Sequence, residues 1–134
     1  MASIIDNLRT VWGSVEELDS LVPASRVVIG PLNEGQALPV VGITGLTARK
    51  KLRSSGQDIH TVVVTVVTEA RDIVFLTMLG RLMEKNLQHL DGDDYQTISM
   101  QIDWDIAAGE VIPPATQIWT ATYRLEYDAV CKVG

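Results

Sequence analysis

The chain has 134 residues, 46% hydrophobic and 21% charged, with a formal net charge of −6. That length suits one domain with its own core, and so acidic a chain is a poor duplex binder, since duplex binding relies on Lys and Arg at phosphates. A single cysteine, Cys131, excludes an intrachain disulfide framework, no apolar run is long enough for a membrane helix, and MASIID has neither the basic nor the hydrophobic part of a secretion signal, so synthesis in the cytoplasm is expected.

A first helix is expected to open at Ser3, with Ser3 and Asp6 in a capping-box-like pair. Ile4, Leu8, Val11, Val15 and Leu18 recur on one face, flanked by Ile5 and Trp12. Gly13 is expected to bend this helix, and Pro23 to stop it. Arg26 to Ile29 and Leu38 to Ile43 read as short strands separated by turn residues, Gly30-Pro31 and Asn33-Glu34-Gly35. Thr44 to Asp58 has little periodicity and a dense basic run, so a long loop or hairpin arm is expected at about 44–58. Ile59 to Val67 is rich in β-branched residues and apolar on both sides, which marks a central strand or one with a face against another subunit.

Thr68 to Leu90 carries the strongest helix signal. Phe75, Leu76, Leu79, Leu82, Met83, Leu87 and Leu90 fall on one side, and Thr68 is the expected N-cap. Turn residues follow from His89 to Asp94. Ile98, Met100, Ile102, Trp104 and Ile106 then alternate with Thr97, Ser99, Gln101, Asp103 and Asp105. Ala107 to Ala115 reads as a loop. A last strand, Gln117 to about Tyr127, puts Trp119, Ala121, Tyr123, Leu125 and Tyr127 on its apolar face. The order α-β-β-β-α-β-β predicts a single α+β domain over 1–134, with a largely antiparallel mixed sheet and two helices on one face.

The chemistry-bearing residues do not assemble into a catalytic or metal-binding motif. Asp91, Asp93 and Asp94 lack the closing Glu of a calcium loop. His60 and His89 stand alone, no serine sits in a nucleophile elbow, and no glycine-rich phosphate loop is present. We therefore expect neither an enzyme nor a cofactor. Arg49, Lys50, Lys51 and Arg53 form a basic run that reads as a solvated arm, as a partner for an acidic surface on another copy of this chain, or as a phosphate contact. The scarcity of basic residues elsewhere favours pairing between copies over DNA. Val62 and Val64 would meet a neighbouring copy if their face of the Val-rich strand lies against another subunit. Asp103 and Asp105 lie on a polar strand face, which in a ring-shaped protein would line a channel and keep passing DNA from sticking.

The whole pattern resembles a known family. An amphipathic helix leads into Val-Pro-Ala-Ser-Arg-Val-Val-Ile and Leu-Pro-Val-Val-Gly-Ile. A Val-rich strand runs into a helix beginning Glu-Ala-Arg-Asp, and IDWDIAAGEVIPPATQIWTATYRLEY follows. This is similar to the small tail-terminator, or tail-completion, proteins of tailed bacteriophages and related particles. The resemblance implies a structural virion protein at the tail–neck junction, assembled in the host cytoplasm. It would form a ring, commonly a homohexamer, that ends tail-tube polymerisation and joins the tube to the neck or head connector. Its partners would be itself, the tube protein and the connector, with DNA passing unbound and no membrane. Another head–tail connector ring is the nearest alternative. A small ligand-binding or adaptor domain, with Trp104, Trp119 and Tyr123 lining a pocket, is a further one.

Overall fold

A computed structural model of the chain describes residues 2–30, 40–51, 59–91, 95–112 and 116–131. Helices α1 (Ala2–Ser14) and α2 (Glu16–Leu21) and a short 3-10 turn (Ala24–Arg26) lead into β1 (Val27–Ile29). Strands β2 (Val40–Lys51) and β3 (Ile59–Ala70), helix α3 (Ile73–Asn86) and strands β4 (Tyr95–Ile112) and β5 (Thr116–Cys131) complete the order. The strands form one mixed sheet, β1-β2-β3-β5-β4. Among the described residues only the β1–β2 pair is parallel. The α+β class and the one-sided helical layer are as the sequence implied.

The core lies between that layer and one sheet face. Ile4, Leu8, Trp12 and Leu18 from the first two helices join Leu76, Leu79 and Met83 of α3. They meet Val41, Val62, Val64, Val66, Tyr123, Leu125 and Tyr127 of the sheet. Two tyrosines of β5 also hold α3 by hydrogen bonds. Tyr123 donates its hydroxyl to the Leu76 carbonyl at 2.5 Å, and Tyr127 donates to the Leu87 carbonyl at 2.6 Å. The second bond serves a carbonyl at the helix end, where no further turn supplies a partner.

Several boundaries differ from expectation, each for a local reason. The first helix breaks at Val15, whose backbone is extended (φ −96°, ψ 109°), and Ser3 lies inside α1 rather than capping it. The break lets the Trp12 indole N–H reach the Val22 carbonyl at 2.8 Å inside the core. Gly13 lies where a Cβ would come 3.2 Å from the Ala24 Cβ, so its small size serves close packing.

Thr68 does not cap α3. It belongs to β3, and Asp72 is the N-cap, accepting from the Val74 N–H at 2.9 Å. In the expected 44–58 loop or hairpin arm, Gly45 to Lys51 are strand and pair residue by residue with Thr65 to Ile59, after a register shift at Ile43/Gly45, while 52–58 lie outside the described residues. β-Branched β3 offers a full ladder there, and pairing with it outweighs the weak local propensity of the basic run. The expected loop from Ala107 likewise runs on as strand to Ile112, across a second irregularity between Ala108 and Val111. A register shift between Thr97 and Ser99 reverses the alternation at the start of β4. Ile98 turns out to 45% exposure, and Thr97 turns in to 3%. Asp91 makes this possible, because one of its oxygens accepts from both the Thr97 N–H and the Thr97 hydroxyl at 2.9 Å.

Candidate functional site

The sheet face opposite the helices carries the chain's most organised polar surface. On β4, alternation brings Ser99, Gln101, Asp103 and Asp105 to this face. β5 adds Thr122, Arg124, Glu126 and Asp128, and β3 adds Val63, Thr65 and Val67. Register sets the chemistry: Asp103 pairs with Arg124 across the ladder, and Asp105 with Thr122. Arg124 therefore reaches both carboxylates. Its Nη1 donates to Asp103 Oδ1 at 3.1 Å and its Nη2 to Asp105 Oδ2 at 3.1 Å.

The guanidinium is held above its ordinary pKa, first by the hydrogen bond to Asp105 and then by that to Asp103. All three side chains are well exposed, so the bridge orients the strip more than it stabilises the fold. Glu126 lies diagonally beside this cluster, and Asp128 accepts from the Thr61 hydroxyl at 2.9 Å. Arg124 thus stands among Asp103, Asp105, Glu126 and Asp128, which leaves this part of the face acidic. A shallow depression there is lined by Val63, Gln101, Ile102, Asp103, Arg124 and Glu126.

The other candidate residues fall elsewhere. Arg49, Lys50 and Lys51 occupy the far end of β2, in register with Thr61, His60 and Ile59. Strands β3 and β5 separate β2 from β4. The basic run and Asp103 therefore lie roughly 14 Å apart across the sheet at ~4.8 Å per strand, and one chain cannot pair them directly. Arg53 lies outside the described residues.

Val62 and Val64 are corrected: both are fully buried under the helices and offer no interface surface. The even positions from Val62 to Ala70 face the core, and the side chains partly accessible on the open face of β3 are those of Val63, Thr65, Val67 and Glu69. The aromatic pocket is also corrected. The Trp104 and Tyr123 rings lie 6.1 Å apart and pack onto Gly80 of α3, filling the space a ligand would take. Among the described residues, no three His, Cys, Asp or Glu side chains gather as metal ligands. Alternation with Tyr123 and Leu125 puts Arg124 on the polar side of β5, but nothing in the sequence signals its bridge, which depends on cross-strand register.

No family model and no curated protein matches the sequence. Among solved structures, the chain shares its fold with a chain from the virion of a native gene transfer agent particle. The match has a TM-score of 0.56 and 14% identity, and covers 98% of this chain and 93% of that one. At this identity the likeness is one of fold.

Proposed function

We propose that this chain is a structural virion protein that forms a ring on the end of a phage-type tail tube. The ring, a homohexamer in this reading, ends tube polymerisation and provides the joint to the neck or head connector. The observation that carries the proposal is the end-to-end likeness of fold to a chain of a gene transfer agent virion.

Two features of the surface support it. The open face around Asp103, Asp105, Glu126 and Asp128 is acidic and would repel DNA passing through a channel. The basic run at Arg49, Lys50 and Lys51 lies on the far side of the sheet from that acidity, as a head-to-tail contact between copies requires.

The test is light scattering on a sizing column over a range of concentrations, with negative-stain images and binding to purified tail-tube ends. Closed rings with a central hole that cap tube ends are expected. A protein that stays monomeric and ignores tube ends overturns the proposal. Rings that bind the connector but not the tube would assign it to the neck instead.

A further inference from the structure

The sheet has two unfinished edges. β4, 18 residues long, is an end strand bonded, among the described residues, only to β5. On the opposite flank, β1 pairs, among the described residues, only with Val41 to Ile43 of β2. Thr44 to Lys51 therefore have no strand on that side among the described residues. Such rows of free N–H and C=O groups are templates for a further strand.

Strand direction makes the two edges compatible. β2 and β5 run antiparallel to β3, and β4 runs antiparallel to β5, so β2 and β4 point opposite ways. A second copy laid alongside in the same orientation brings its β2 antiparallel to this copy's β4. Both edges are also regular where they would meet. β4 is free of register shifts from Ser99 to Ala108, and β2 from Gly45 to Lys51.

Charge then selects among the possible pairings. Asp103 and Asp105 share one guanidinium, which leaves β4 with an excess negative charge. β2 carries Arg49, Lys50 and Lys51 in consecutive ladder positions. Two β4 edges would set carboxylates together, and two β2 edges would set cations together, whereas β4 against β2 opposes unlike charges. Placing Asp105 opposite Arg49 brings Asp103 opposite Lys51 and Ala107 opposite Thr47. Thr47 pairs with Val63, on the same open face as Asp103, so the pleats of the two strands agree.

We propose that copies of this chain join edge to edge, β4 of one against the Thr44–Lys51 edge of β2 of the next, and so continue one sheet from subunit to subunit. Because the contact joins two different edges, it repeats head to tail and closes into a ring where the rotation permits. Only that closure rests on the ring reading above.

Disulfide trapping tests the contact on the full chain in a Cys131→Ser background. Thr47→Cys and Ala107→Cys are combined in one chain, both sites being exposed. Directly opposed positions lie within disulfide reach. Oxidation should give a ladder of covalent multimers on a non-reducing gel, and a control pair of Thr47→Cys with Arg81→Cys should not. Adding Arg49→Glu and Lys51→Glu should lower trapping by about tenfold or more. Adding Asp103→Lys and Asp105→Lys to that chain should restore it. No ladder, equal trapping in the control pair, or indifference to charge reversal overturns the edge contact. Rings seen by light scattering without trapping would sink the edge contact and spare the ring. Absence of both would sink the two together.

Discussion

Thr68 sits on the core face of β3, and its hydroxyl is fully buried with no hydrogen-bond partner among the described residues. An unsatisfied buried hydroxyl costs free energy, so replacing it with a methyl of similar shape removes a penalty. Thr68→Val is expected to stabilise the protein by about 1 kcal/mol, measurable as a higher urea midpoint at unchanged m. Tyr123 gives a pH prediction. Burial pushes its phenol well above the usual tyrosine value, so the folded state holds its proton where the unfolded chain has lost it. Stability from this group is intact below a pH of about 10 and declines above it. Tyr123→Phe should flatten that alkaline decline, as read by urea unfolding at successive pH values. Unchanged steepness would mean another group drives it.

At the scale of the element, α3 owes its start to Asp72 and its position to Gly80. Asp72→Ala removes the cap on the Val74 N–H and should cost about 1 kcal/mol. Gly80 stands mid-helix, where alanine would ordinarily favour the helix by up to ~1 kcal/mol. Here an added Cβ would meet the Trp104 and Tyr123 rings at 3.0 Å. Both rings are held by packing and Tyr123 also by its hydrogen bond, so crowding outweighs propensity. Gly80→Ala should lower stability by about 1 kcal/mol. A gain in thermal midpoint would show that the rings yield.

Helical spacing marked the apolar arc of α3 correctly from Leu76 through Met83, but ran the helix on to Leu90, past its end at Asn86. It misplaced the start because Thr68, Glu69 and Ala70 suit either a helix or the end of a strand. Partners on both sides, Val40 and Val41 on β2 and Trp119 to Ala121 on β5, decide for the strand.

At the scale of the whole molecule, the sheet divides stability from assembly. One face is closed by helices, while among the described residues nothing covers the other face or the two edges. Val62→Ala, which empties a fully buried site, should cost about 2 kcal/mol. Arg49→Glu with Lys51→Glu should leave the dilute protein within about 0.5 kcal/mol of the parent. Thermal unfolding of both variants, with sizing of the folded material, checks the division. A charge-reversed chain that loses stability as Val62→Ala does would place the basic run in the fold itself.

Alternation and helical spacing alone determined the α+β class, the helix-covered face and the polar strip on β4 and β5, because they record which side of each element meets water. The tertiary structure alone decided that the basic segment is strand, that Val62 and Val64 are core, that a bulge turns Ile98 outward, and that one arginine spans Asp103 and Asp105. Each of these depends on which residue stands opposite which across the sheet. Cross-strand register is a long-range property, and no local window of the chain carries it.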